Sequence, residues 1–513
     1  SVTTGTYNVA MGRRALDAVT TSSYNVAIGS SALESNTAAN NTAVGYQALT
    51  ANTTGTENSA FGGYAGLAIT TGDSNTALGY AALYTATTAD NNTAIGHMAL
   101  KLTTTGHSNV ALGSDTLSAN TTGQENTALG SQALKTNTTA SDNVAIGRQT
   151  MYANTTGANN VAVGAYALDA NTTAANNTAV GKSALTANTT GANNTAVGAA
   201  AADAITTGSQ NTVVGSGALS ALTTATRNTA VGYAALEAAT NDDNTAVGAF
   251  SLWSNTSGYY NVGLGYLAGS AITTSNSNTA IGTFALQATT TASSNTAVGT
   301  SALTANTTGE FNVAVGAIAG DAITTGTVNT AVGYNALGAA TTASSNTALG
   351  AQALAVATTG ASNTAVGQNA LIANTTGAAS TAVGYASLDA NTTGTNDAFG
   401  NLSLSTNTTG TQNSAFGHSS SFSVTTGNYN TAMGYGAGYY VSTGTYNVSI
   451  GRAADQETTT GSYNISIGAS ARPSAAGGSS QTAIGYGVIC NGNSNFTFGS
   501  GTTDTSCDFG SVT

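Results

Sequence analysis

The chain runs to 513 residues, of which 41% are hydrophobic but only 6% charged, with 63 glycines and a single proline. That apolar content argues against a disordered linker. A net charge of −12 with only nine Lys and Arg leaves no basic stripe to neutralise phosphates, so nucleic acid is not expected as a partner. No run of eighteen apolar residues and no charged-then-apolar leader occurs, so neither membrane insertion nor a secretion signal is expected; the start at Ser1 fits a processed or partial product.

Length alone would suggest roughly three or four globular domains, but internal repetition displaces that expectation. The first unit opens at Asn8, and the pattern returns at Asn25, Asn41, Asn58, Asn75, Asn92 and Asn109 and onward to Asn495. Its core is Asn41-Thr42-Ala43-Val44-Gly45, followed by a tail that runs through Tyr46, Ala48 and Leu49 to Gly55. Thirty starts are spaced by 17 residues, except for three intervals of 16 and a last one of 14. Places are counted from the opening Asn as zero. Place four is Gly in every copy, the residue before it is always apolar, and Asn opens all copies but those of Ser380 and Gln481.

A period this short leaves no room for a helix pair. Thr-Ala-Val before a turn glycine predicts a short strand and a corner, hence one coil per unit. Coils stacked at about 4.8 Å would make a rod on the order of 140 Å long. The predicted fold class is all-β, a parallel β-solenoid, with a regular array over residues 1–468. Residues 469–513 carry Pro473, the Gly477-Gly478 pair and both cysteines, and are expected to form an irregular cap or connection.

Alternation along the strand places Thr42 and Val44 on one side and Ala43 on the other. The bulky pair is expected to fill the interior. The near-constant Ala then points outward, against a neighbouring subunit; a tight corner within the coil is the alternative. In the tail, most copies have Leu at place eight, as at Leu49, Leu83 and Leu134, and often Asn at place eleven. Five copies carry Gly66, Ala202, Gly269, Gly320 or Gly438 at place eight, and these have Ile69, Ile205, Ile272, Ile323 or Val441 at place eleven. Losing a core Leu costs a few kcal/mol unless the volume is refilled, so both places are expected to reach one interior.

The opening Asn predicts an amide ladder, each side chain bonding its neighbour above or a turn backbone. The Asn-Thr-Thr triplets match a glycosylation acceptor pattern but arise from the repeat itself. No nucleophile–base pair stands out: His97, His107 and His418 are scattered, and Asp242-Asp243 reads as a solvated turn. The calcium-binding Gly-Gly-x-Gly-x-Asp repeat is missing, and neither a cofactor nor an enzymatic activity is implied. An ice-binding face would need Thr-x-Thr in two ranks, whereas the adjacent Thr53 and Thr54 point to opposite sides. Candidate binding residues are the aromatics outside the packed places, Tyr46, Tyr80, Tyr233, Trp253, Tyr259 and Tyr260, which are suited to stacking on sugars or simply to covering the surface. Cys490 and Cys507 lie one unit length apart, which leaves open a disulfide between adjacent coils or two free thiols.

The Asn-Thr-Ala-Val-Gly core resembles the Asn-Ser-Val-Ala-Ile-Gly repeat of YadA-like heads in trimeric autotransporter adhesins. That resemblance implies a left-handed parallel β-roll assembled as a homotrimer, with Thr42 and Val44 inward and Ala43 toward partner chains. The long Asn-Thr-Ala-Val-Gly-Tyr-x-Ala-Leu arrays look more like those of bacteriophage tail fibres. The stretch Asn495-Phe496-Thr497-Phe498-Gly499, with Thr503-Asp504 and Asp508-Phe509-Gly510, is similar to the segment before a self-cleaving chaperone domain of the endosialidase type. These likenesses imply a virion appendage that attaches to a glycan or protein receptor on a host surface. The alternatives are a bacterial surface adhesin or self-assembling extracellular filament and, as a minor one, an ice-binding solenoid.

Overall fold

The computed structural model describes residues 4–501 and 503–508, the last without its side chain. Phe509 and Gly510, part of the chaperone-like segment, lie outside the described residues. No helix occurs among the described residues, and each repeat is one coil with one short strand, so the fold is an all-β parallel β-solenoid. The chain divides into two compact units, residues 1–259 and 260–513.

In the first unit the strands from Val9–Met11 to Thr245–Val247 each pair in parallel with the next, place for place. In the second, parallel pairing runs from Val262–Leu264 to Asn495–Gly499, and the last strand, Thr505–Asp508, lies antiparallel against Asn495–Gly499. A strand of three residues has too few hydrogen bonds to stand alone, but here its bonds go to the coils on either side. Thr42 N–H donates to Asn58 O at 2.8 Å, and Gly45 N–H donates to Ile28 O at 2.7 Å.

The corners follow from backbone chemistry. Gly45 has φ of 139°, and a Cβ there would sit 2.4 Å from Gly62 O in the next coil, so only glycine fits the place. Three further residues of the same coil, Gln47, Leu49 and Glu57, are left-handed without being glycine. For Leu49 that conformation costs about 1–2 kcal/mol. Its side chain is fully buried, which contributes about 1.5–3 kcal/mol and offsets the strain.

The interior differs from the expected one. Ala43 is fully buried, while Thr42 and Val44 are half-exposed and face outward. The same buried middle residue recurs in strands of both units. Alternation was the right rule, but the choice of inner face by bulk was wrong. One coil of 17 residues is narrow, and the place-eight side chain already fills it. A Cβ on Gly438, at place eight, would lie 3.6 Å from the Cβ of Ala432, at place two of the same coil. Opposite a Leu the room left suits Ala, and Val213, buried in the same coil as Leu219, is the larger exception. The Ala column is thus a consequence of tight closure within the coil and marks no contact between subunits.

The volume exchange is seen directly. A Cβ on Gly66 would meet Leu49 Cδ2 at 2.8 Å and Ile69 Cδ1 at 3.1 Å; on Gly320, Ile323 Cδ1 at 3.0 Å and Leu303 Cδ2 at 3.1 Å. Places eight and eleven therefore share one interior. Ser421 with Val424 makes a further such pair, missed in the sequence because serine is not obviously small enough to call for compensation.

The two cysteines are free thiols, Cys490 buried and Cys507 half-buried. Their spacing by one unit does not stack them, because the final strand reverses direction and sets Cys507 opposite Phe496.

Candidate functional site

Three ladders run along the coils and fix which side chains remain available for contact. In the first, Asn58 N–H donates to Asn41 Oδ1 at 2.9 Å, and Asn41 Nδ2 donates to Gly55 O at 2.8 Å. Where serine stands at place zero the roles survive: Ser380 N–H donates to Asn363 Oδ1, and Ser380 Oγ donates to Gly394 O, both at 3.0 Å. The second ladder joins place-eleven amides, as from Asn154 Nδ2 to Asn137 Oδ1 at 2.9 Å and from Asn171 Nδ2 to Asn154 Oδ1 at 2.8 Å. Those asparagines open the Asn-Thr-Thr triplets, and their side chains are fully buried, those of Asn374 and Asn407 without a partner for the amide nitrogen, which withdraws them from glycan attachment. In the third, threonines at place twelve donate to the next coil, as from Thr121 Oγ to Thr138 O at 2.9 Å.

Two surfaces are left. The first is the outer side of the strand column. Place one presents mostly Thr or Val, and place three presents Val, Ile, Leu, Phe or Met. Phe61, Leu78, Leu112 and Val197 all rank among the exposed large hydrophobic residues of the first unit, and Val315, Leu349, Phe399 and Ile467 among those of the second. The parallel register sets these side chains one above another, so each unit carries a continuous apolar stripe.

The second surface is the aromatic one. Tyr46, Tyr80 and Tyr233 stand at place five just past the corner glycine, and Trp253 at place nine, where its indole N–H donates to Glu237. Tyr80 packs edge-on to Tyr64 at 5.6 Å and stacks on His97 at 5.7 Å. Tyr233 packs on Phe250, and Phe250 on Trp253. Tyr259 and Tyr260 lie instead at the end of their coil and are exposed. At that same end, Tyr429, Tyr446 and Tyr463 stack at 4.6 and 5.1 Å. The tyrosines picked from the sequence thus belong to two columns on different sides of the coil. Sequence reasoning missed His97 and His418 as members of the place-five column; their shared place was the available signal.

Titratable groups add little chemistry. Asp242 and Asp243 both bond Arg227 of the preceding coil, with Nε donating to Asp243 Oδ1 at 2.6 Å, and that bond holds the Asp243 carboxyl below its ordinary range. Asp455 is the exception. It occupies the place-eight core position, is fully buried, and its pKa is raised by desolvation, partly opposed by bonds from Thr458 and Ser449. Cys490 is likewise pushed up by burial. Among the described residues no group of three or more His, Cys, Asp or Glu is placed to hold a metal ion. Compared with known proteins, the chain matches no family model, no curated protein and no solved structure.

Proposed function

We propose that this chain is the structural shaft of an appendage of the bacteriophage tail-fibre kind, assembled as a homotrimer and attaching to a host-cell surface. The observation that carries this reading is the outward apolar stripe. Isolated exposed hydrophobic residues need no explanation, but a contiguous patch well beyond a few hundred Å² marks an interaction site. A stripe of two residues' width, repeated at about 4.8 Å over some fifteen coils, offers about 700 Å² in each unit, near the roughly 800 Å² that a partner contributes to a stable interface. Val197 is 37% exposed, so covering it is worth about 0.5–1 kcal/mol. Summed over a dozen coils this is on the order of 10 kcal/mol, which competes with association costs of about 4–15 kcal/mol. Other copies of the chain present the same ranks, uncharged but for Asp397, in the same spacing and so are matched partners.

The interface is therefore assigned to Val44 and its equivalents, not to the alanines. Light scattering of the purified chain should give three times the 49.8 kDa of one copy. Replacing Val180, Val197 and Val214 by Asp should reduce that mass toward one copy while leaving the strand content unchanged, since all three side chains face outward. A monomeric wild type would overturn the trimer, and a polydisperse polymer would favour the self-assembling filament.

A further inference from the structure

Two places on the molecule, one in each unit, gather a similar set of side chains, with the histidine on the following coil in the first and on the preceding coil in the second. In the first unit a groove of about 360 Å³ is lined by Tyr64, Tyr80, Tyr84, Met98 and Lys101. In the second a groove of about 340 Å³ is lined by His418, Tyr435, Tyr439, Tyr440 and Gln456. Each is built on a coil with Tyr at both place five and place nine, Tyr80 with Tyr84 and Tyr435 with Tyr439. In each, the place-five Tyr stacks on a His at place five of an adjacent coil. The ring centroids lie 5.7 Å apart for Tyr80 and His97, and 5.2 Å apart for His418 and Tyr435, with the planes within 12°. The next coil supplies a long polar side chain at place nine, Lys101 or Gln456. The chain has three histidines in all, and two of them stand in this one position beside such a tyrosine pair.

Further rings turn across the stack and give each groove a wall. Tyr64 meets Tyr80 at 86° and Tyr84 at 62°, and Tyr440 meets Tyr439 at 73°. Tyr80, Tyr435 and Tyr440 are at least half exposed. The result is a shallow floor of aromatic carbon rimmed by phenol hydroxyls, with the Lys101 ammonium at the first groove and the His418 imidazole and Gln456 amide at the second. A sugar ring has the complementary form, with a flat C–H face and a rim of hydroxyls. Tyrosine suits such a partner, being a rigid, amphipathic contact that gives up little conformational entropy.

Other partners fit less well. A peptide added as a strand needs free backbone amides, but here they are spent between coils: Ala81 N–H donates to Gly63 O, Met98 N–H to Tyr80 O and Gly436 N–H to His418 O. Single-stranded nucleic acid needs a positive channel, and the second groove has neither Lys nor Arg in its lining. The first groove carries one ammonium, Lys101, and the second none, so a partner common to both is neutral and not acidic.

We infer that these two grooves are binding sites for a neutral, hydroxyl-rich glycan, one in each unit. This inference deepens the attachment reading and rests on it. The grooves, and not the irregular coils beyond residue 468, then make the contact. With two sites per chain and several chains per assembly, weak single-site affinity is multiplied by effective concentration.

The test uses the full-length chain on an array of neutral oligosaccharides of hexoses, deoxyhexoses and N-acetylhexosamines, with acidic glycans and a protein-coated surface alongside. Wild type should be retained on at least one neutral glycan. Tyr84→Ala with Tyr439→Ala should lower retention at least tenfold, each single change should lower it less, and Tyr334→Ala, an exposed place-five tyrosine outside both grooves, should leave it unchanged. Unaltered mass by light scattering and an unaltered thermal midpoint would show that the coils are intact. Retention that survives the double substitution would overturn the grooves while leaving glycan attachment elsewhere on the chain. Retention on no sugar, on acidic sugars alone with loss at high salt, or on protein alone would overturn the glycan itself, and the trimer mass would still stand or fall by its own measurement.

Discussion

A single amide does two jobs in each coil, accepting from the backbone of the next coil and donating to a turn carbonyl. Replacing Asn177 by Leu strands the Asn194 N–H, which Asn177 Oδ1 now accepts at 2.9 Å, and leaves the Gly191 carbonyl with only its bond from Asn188 Nδ2. A buried group left unpaired costs about 1–3 kcal/mol, so N177L should lower stability by at least that much in denaturant unfolding. Asn177→Ser should cost clearly less, because Ser380 already shows a hydroxyl filling both roles. Equal losses for the two variants would show that the amide acts by shape and not by bonding. The corner glycine makes a sharper contrast. Gly181→Ala places a Cβ 2.3 Å from Gly198 O at a φ of 136°, so it should destabilise by about 1–3 kcal/mol or more. At Gly63 a Cβ would meet only the Tyr80 ring, at 3.6 Å, and Gly63→Ala should be near neutral.

The coil is the element of this fold, and its core can be read as a volume shared between places eight and eleven. Gly320→Leu alone should destabilise, because the new side chain would run into Ile323 and Leu303. Adding Ile323→Asn restores the common arrangement, so the double variant should be more stable than G320L. A double-mutant cycle with no coupling would refute the shared volume. Asp455 makes one coil sensitive to pH. Its folded pKa is raised, so the folded state holds the proton more tightly than the unfolded chain, in which the carboxyl titrates near 3.9. The stabilisation from this group is thus fully present below that value and is lost as pH rises through the folded pKa. The neighbouring Glu457 pushes in the same direction, and Thr458 and Ser449 oppose it. Once rates are corrected for intrinsic base-catalysed exchange, amide protection in residues 447–464 should therefore be greater near pH 4 than near pH 8, and Asp455→Leu should abolish the difference.

For the molecule as a whole, stability is shared among ladders and narrow apolar cores, not ion pairs. Arg14–Glu34, Arg472–Glu457 and the Arg227 contacts are ion pairs at partly exposed positions, and such pairs are worth about 0–1 kcal/mol each. Raising NaCl from roughly 0.05 to 1 M, which screens exposed charges, should move the thermal midpoint by no more than about 2 °C. A fall larger than about 5 °C would mean that charge carries more of the fold than these contacts do. Because each coil touches only its neighbours, a damaged coil should open locally before the rest of its unit does.

By itself the sequence determined the period, the single short strand per coil, the corner glycine, the Asn ladder and the exchange between Leu49-type and Ile69-type residues. Each of these is a local rule that recurs along the chain, the first four in nearly every one of some thirty copies and the exchange in five, so the repetition itself averages away chance. Only the tertiary structure decided which side of Thr42-Ala43-Val44 lies inside. A period of two is symmetric between faces, and it is closure of a narrow coil around Leu49 that admits Ala43 and turns Val44 out. It also decided that Cys490 and Cys507 do not meet, since reversal of the last strand is not written in their spacing. The grooves of Tyr80 with His97 and of Tyr435 with His418 came from the same level. They join places five and nine of neighbouring coils, and that adjacency exists only once the chain has wound.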